Sequence, residues 1–254
     1  MGDIQKAAEQ QPAQLTPQHA IKQQLDAYRP VFAKLLATTG IDEATFEAQI
    51  ANACRSNPQL WSCEPVTVLG AALKAAQLGL SPNDGRNLAW IIPYKGKASF
   101  QLGYGGVMEL ARRAVPGLRF DGRAVFPNDE FDIDYGRNQP LTHRPYVVTE
   151  HNDRGGDAIA WYVRAIFPDG GEQIHLLDRQ GVEHHRSFSK MKDSLMWSQS
   201  YDAAALKSVV VDMKRWLPTS TQLTAALASD EKVITPDDMA DDAVIEVESQ
   251  EVES

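Results

Sequence analysis

AAQLGLSPNDGRNLAWIIPYKGKASFQLGYGGVMELARRAVPG, residues 75–117, changes its hydrophobic period twice, and those changes set the fold class. Up to Gln77 it continues a helical spacing. Pro65 suits a first helical position, Leu69, Ala72, Leu73 and Ala76 share one face, and Gly79 supplies a left-handed stop. Ser81 to Gly85 is a loop by composition. Leu88–Tyr94 and Ala98–Leu102 then read as two short strands, and Lys95-Gly96-Lys97 between them reads as a tight turn whose tip carries two positive charges. Gly103-Tyr104-Gly105-Gly106 opens a second helix with Val107, Leu110, Ala111 and Ala114 on one stripe. Arg112 and Arg113 fall outside that stripe, and Pro116-Gly117 ends the helix.

Working outward, helical patterns precede this stretch at Ile21–Leu36 and Glu43–Arg55. Two further hairpins follow it. One joins Leu118–Phe126 to Phe131–Tyr135 around Pro127-Asn128-Asp129, and the other joins Ile159–Phe167 to Gln173–Leu177 around Pro168-Asp169-Gly170-Gly171. A last long helix, Leu195–Leu217, places Leu206, Val209, Val210, Met213 and Leu217 inward and stops at Pro218, with Lys207 and Lys214 sharing a different face. The expected fold is therefore α+β: a small antiparallel sheet of hairpins packed against several helices. A flexible segment over 1–16 and an acidic disordered tail over 229–254 flank a single core over 17–228.

The 254 residues are 43% hydrophobic and 23% charged, the composition of an ordinary globular protein. No apolar run approaches the roughly 18 residues of a membrane helix, and the first residues are polar, so the expected location is the cytoplasm, without membrane contact. Cys54 and Cys63 form no CxxC pair and have no histidine at ligand spacing, which favours two inert thiols over a disulfide or zinc site. The net charge of −9 is unevenly spread: eight of the 34 acids fall in 237–254, where there is no Lys or Arg. The rest of the chain is close to neutral, with 26 acids against 25 bases. Overall acidity therefore does not exclude a nucleic-acid partner.

Several chemistries lack support. Gly96-Lys97 fails the Walker pattern, because Ala98 stands where Ser or Thr is required and Ile91 where the first Gly should be; no ATP site is expected. Gly103 to Gly106 could present amides to a phosphate at a helix start, but fits a plain turn at least as well. Glu130, Asp132 and Asp134 raise the alternative of a metal-dependent nuclease. Their alternation with Phe131, Ile133 and Tyr135 fits the solvated face of a half-buried strand better. His184 and His185 are adjacent, so on a helix they point about 100° apart and cannot clamp one metal. Neither a GxSxG elbow nor a Cys/His nucleophile signature occurs. What remains is cations interleaved with aromatics: Tyr94, Lys95, Lys97, Phe100 and Tyr104 around one hairpin, Arg112 and Arg113 on the next helix, Arg119 and Arg123 on one strand face. Single-strand binding needs cations for phosphates and flat surfaces for bases. Core aromatics beside a solvated cationic face explain the pattern equally well.

The order of motifs resembles the RecT family of phage single-strand DNA annealing proteins. AAQLGLSP, the strand NLAWIIPY, FQLGYGGVMELARRA, NDEFDIDYG and THRP follow one another as in that family, and Lys214-Arg215-Trp216-Leu217-Pro218 looks like its basic helix and closing Leu-Pro. The similarity covers roughly 43–218. It implies an ATP-independent recombinase, not an enzyme in the covalent sense, encoded by a phage or prophage in a bacterial cell. Such a protein binds single-stranded DNA, pairs it with a complementary strand into annealed duplex, and works as a homo-oligomeric ring or helical filament. The implied partners are a 5′-3′ exonuclease and the host single-strand binding protein; no cofactor is implied, with magnesium at most assisting DNA binding. Tyr104, Arg112, Arg113, Arg123, Lys207, Lys214 and Arg215 match the family's pattern of DNA contacts, to which the residues themselves add Lys95 and Lys97. Two departures stand out: Gly105 occupies a position commonly basic in relatives, and Val211-Asp212 puts an acid in a helix expected to be basic. A passive single-strand binder is the remaining alternative.

Overall fold

The computed structural model of the protein describes residues 16–137, 140–147, 153–189, 192–193, 195–218 and 220–240. In chain order these form helices α1 (Pro17–Ala27), α2 (Arg29–Leu36), α3 (Glu43–Ser56) and α4 (Pro65–Gln77), strands β1 (Ala89–Tyr94) and β2 (Lys97–Leu102), and helix α5 (Tyr104–Ala114). Strands β3 (Arg119–Val125), β4 (Glu130–Ile133), β5 (Leu141–Arg144), β6 (Ala160–Ile166) and β7 (Glu172–Asp178) follow. The remaining helices are α6 (Arg179–Phe188), α7 (Leu195–Gln199), α8 (Tyr201–Met213), α9 (Thr221–Ser229) and α10 (Pro236–Ala240). The fold is α+β, with small antiparallel sheets packed on helices. Where one core over 17–228 was expected, the described backbone gathers into two compact units, 16–102 with 228–240, and 103–227.

The first unit is organised by α4, which is buried from Thr67 through Ala76. Its small residues Gly70, Ala71, Ala72, Ala75 and Ala76 let α1, α2 and the β1–β2 hairpin close around it. The hairpin forms with a shorter turn than the expected Lys95-Gly96-Lys97: Lys97 pairs with Tyr94 as the first residue of β2, leaving Lys95 and Gly96, both at positive φ, as the turn. The chain then returns after α9 to cover the same helix. Leu102 N donates to the Asp230 carboxylate at 2.8 Å, Glu231 N donates to Phe100 O, and Ile234 and Met239 are buried. A Cβ on Gly70 would stand 2.0 Å from Ile234 O, so only glycine permits this approach. Residues 230–240, expected to begin the disordered tail, thus complete the first unit; acidity at Asp230 and Asp238 serves backbone capping instead of solvation. The tail beyond 240 and the segment 1–15 lie outside the described residues. Cys54 and Cys63 are buried free thiols, and burial with Cys63 alongside pushes the Cys54 thiol up to about 11.

The second unit is built on the sheet β3-β6-β7, with Gly122 opposite Val163 and Trp161 opposite Leu177. The β6–β7 hairpin is the expected one. The hairpin expected around Pro127-Asn128-Asp129 does not form: β3 pairs with β6, and β4 pairs with β5 in a separate ribbon. The reason lies in Asp129, whose fully buried carboxylate accepts the amides of Phe126 at 2.8 Å and Tyr146 at 2.7 Å. It also contacts His143 at 3.1 Å and Arg154 at 3.4 Å. That closure turns β4 away from β3, and Ile159 N takes Val125 O, aligning β6 with β3. The ribbon lays Phe131 and Leu141 on Val125, Ala160, Tyr162 and Leu176, and His143 reaches the Tyr162 hydroxyl at 3.0 Å. The opposite sheet face is covered by α8. The long helix expected over Leu195–Leu217 is interrupted at Ser200, which places Asp202 to accept the Trp161 indole N–H at 2.9 Å and Tyr201 to donate to Glu183.

Burial alone would raise the Asp129 carboxyl, but the Tyr146 and Phe126 amides, His143 and Arg154 together outweigh it and hold it below the usual carboxylate range. A depressed folded-state value contributes stability that is complete above the unfolded carboxylate range and lost as pH falls through the folded value. Asp129→Asn therefore lowers unfolding free energy by about 3 kcal/mol at neutral pH. It also flattens the loss of stability between neutral and strongly acidic pH, measured by thermal denaturation across that range; an unchanged acid limb would contradict this assignment.

Candidate nucleic-acid interface

The cations singled out from the sequence fall on three surfaces. In the first unit, Lys95 and Lys97 flank the β1–β2 turn, but the turn is not a free finger. Gly96 O accepts Glu64 N at 2.8 Å, Thr67 Oγ1 accepts Ala98 N at 2.9 Å, and Lys97 Nζ lies 3.8 Å from Glu64 Oε2. The hairpin is thereby pinned along the start of α4. Lys95 Nζ sits 5.2 Å from the ring centre of the half-exposed Tyr94, which gives the tip one cation over an aromatic face.

In the second unit the sheet separates the rest. On β3, Phe120, Gly122 and Ala124 face α8: a Cβ on Gly122 would meet Leu206 of α8 at 3.3 Å and Val163 at 3.4 Å. The Arg112 guanidinium lies 5.3 Å from the Phe120 ring centre, so Arg112 belongs to this helical side. So do Arg113, paired with Glu109 at 3.0 Å, the exposed Lys207, and Lys214 and Arg215 in a tight turn after α8. Arg119, Asp121 and Arg123 alternate with that set and project from the other face, where β6 and β7 contribute Arg164 and Glu172. There the charges pair off: Arg123 with Asp121 at 2.7 Å and Arg164 with Glu172 at 2.5 Å. Grouping Arg112, Arg113 and Arg123 into one patch, as their sequence proximity invites, is thus not supported by the strand alternation.

The acid in the supposedly basic helix also has a defined role. Asp212 points to β7 and α6, where its carboxylate accepts from His175 at 2.7 Å and lies 3.9 Å from His185; its other oxygen accepts from Arg215 at 3.1 Å. Asp212 therefore aligns Arg215 and presents no unpaired negative charge. Sequence reading missed this because His175 is 37 residues away on another strand. It missed α6 too, although Asp178 accepting Gly181 N at 2.7 Å is a recognisable helix start.

Tyr104 opens α5, and Gly105 and Gly106 behind it are buried, so the position commonly basic in relatives is here enclosed in packing. Glu130, Asp132 and Asp134 do not converge. Glu130 pairs with Arg144 across the ribbon, and Arg137 takes both Asp132 and Asp134. Among the described residues no group of three His, Cys, Asp or Glu side chains is placed to hold a metal ion, and no helix is long and apolar enough to cross a membrane.

Comparison with known proteins agrees with the motif order. The RecT family matches residues 44–251. Protein RecT of Escherichia coli strain K12 is 30% identical over 238 residues, covering 90% of this chain and 83% of the relative. The uncharacterized protein YqaK of Bacillus subtilis strain 168 is 27% identical over 244 residues, covering 95% and 82%. An α+β protein matched along most of its length, this chain belongs to the RecT family.

The Asp212 cluster makes a measurable contribution. Asp212→Ala removes the acceptor shared by His175 and Arg215 and lowers unfolding free energy by about 1–2 kcal/mol in urea titrations. An unchanged midpoint would show that the cluster contributes nothing to holding α8 on β7.

Proposed function

We propose that this protein is an ATP-independent single-strand DNA annealing protein that binds DNA strands and promotes their pairing as an oligomer. The observation that carries the reading is the helical side of the second unit. Arg112 lies against Phe120 on that side, and Lys207, Lys214 and Arg215 lie on α8 and in the turn after it, in a chain that belongs to the RecT family. Annealing breaks and forms no covalent bond. Its barrier is the repulsion between two phosphate backbones and the self-structure of each strand, and a cationic face lowers both by replacing counterions and holding a strand extended. Watson–Crick pairing then supplies the specificity. Lys95 and Lys97 add a second cationic surface in the first unit, and Tyr104 opens α5, the helix whose last turn carries Arg112 and Arg113. Assembly of many copies would lengthen the bound tract. A 5′-3′ exonuclease that generates the strand and the host single-strand binding protein that coats it are the natural partners of such an activity.

Two measurements test this. Complementary oligonucleotides, one precoated with protein, pair faster than in buffer with neither ATP nor ADP present; a rate equal to buffer leaves a passive binder, and shortened products with magnesium would restore the nuclease alternative. Charge reversal distinguishes the two faces of the sheet. A folded Arg112→Glu, Arg113→Glu double variant loses at least about tenfold in oligonucleotide affinity and shows a flatter salt dependence. Arg123→Glu, on the opposite face and paired with Asp121, changes affinity by less than about threefold. Equal losses from both would place DNA across both faces.

A further inference from the structure

Trp216 is 62% exposed, unusual for the largest apolar side chain. Fraying does not account for it. Met213 just before it is fully buried and Leu217 just after it is 3% exposed, so the backbone on both sides is anchored while the indole alone is turned out. Among the described residues no other ring and no cation lies against it. Lys214 and Arg215 precede it in the same turn, and Arg215 is held by Asp212, itself fixed by His175. An uncovered flat ring in the same turn as an anchored arginine offers the two elements that single-strand recognition requires, a stacking surface for a base and charge for a phosphate.

The other exposed apolar residues lack one part of this arrangement. Among the described residues, Tyr94 carries Lys95 over its ring, Tyr135 follows the acidic Asp134, Phe188 has His184 edge-on to it, and Val147, Ile159, Met196 and Val233 have no ring.

We propose that Trp216 is a base-stacking platform for single-stranded DNA, with Asp212 as the residue that positions Arg215 beside it. The inference rests on the annealing reading above, deepening it from a cationic face to a mixed surface that reads bases without reading sequence. A stacked base and a bound phosphate respond to different perturbations, and this separates the inference from its foundation.

The test compares oligothymidine with an abasic oligonucleotide of the same length, binding each to the full chain and to Trp216→Leu and Trp216→Tyr. Leucine keeps apolar bulk without a π face, and tyrosine keeps the π face. The unaltered protein binds oligothymidine more tightly than the abasic strand. Trp216→Leu loses about tenfold for oligothymidine, loses little for the abasic strand, and keeps its salt slope, because no phosphate contact is removed. Trp216→Tyr restores most of the difference. Asp212→Asn in turn flattens the salt slope while leaving the preference for bases.

If the unaltered protein binds neither strand, the annealing reading itself fails. If it prefers bases but Trp216→Leu prefers them equally, the stacking assignment is overturned. Leucine and tyrosine variants that fail alike, with matching losses of thermal stability, would show a structural role. A Trp216→Leu protein with unchanged DNA affinity but reduced self-association in sedimentation would give the indole to a contact between copies, which also overturns the proposal.

Discussion

The buried carboxylate of Asp129 joins three stretches of the second unit that are remote in sequence: the end of β3 at Phe126, the β5 segment at His143 and Tyr146, and Arg154 before β6. A charge in that position is tolerable only because amides, an imidazole and a guanidinium surround it, and each of those groups is thereby fixed. His143, so held, reaches Tyr162 in the middle of β6. The carboxylate thereby ties the end of β3 to the segments around β5 and before β6, and the β4–β5 ribbon covers the Val125–Tyr162 end of one sheet face, while Arg119 and Arg123 project from the rest of it. The opposite face is covered by α8, on which the exposed Lys207 lies.

This partition gives the charges their meaning. A chain of net charge −9 can present a local cationic surface because its acids are otherwise engaged. Glu130, Asp132 and Asp134 neutralise arginines of the ribbon, Asp121 and Glu172 neutralise those of the face opposite α8, and Asp212 aligns Arg215. Exposed pairs of this kind add little stability. Such pairs damp the field on both sides of the sheet: Arg113 with Glu109 and Arg215 with Asp212 are paired on the helical side as Arg123 and Arg164 are on the other.

Much of the molecule was legible in its sequence wherever the determinants were local. The helix from Pro65, the β1–β2 hairpin, α5 and the β6–β7 hairpin each carry their own caps, turn residues and periodicity, and each formed where expected, the first hairpin with a turn one residue shorter. Pairings across distance were not legible. Nothing in Leu118–Phe126 indicates that its partner lies beyond Ala158 and not at Phe131, since both candidates alternate correctly and only the burial of Asp129 decides between them. The docking of Ile234 on Gly70 likewise depends on a missing Cβ far upstream, which made 230–240 resemble a tail. For the site, residue types were readable and sidedness was not. Arg112, Arg113 and Arg123 look like one patch until the register of β3 assigns them to opposite faces, and Trp216 passed as part of a basic motif until its exposure set it apart.

The central claim is that single-stranded DNA occupies the helical side of the β3-β6-β7 sheet. Amide hydrogen exchange of the full chain with and without a saturating oligothymidine tests it most directly. The expected result is slowed exchange in the last turn of α5 and across Lys214–Leu217, with the β4–β5 ribbon unchanged. Protection concentrated on the ribbon and on the Arg119–Arg123 face, with α5 and the Lys214–Leu217 turn unaffected, would contradict it.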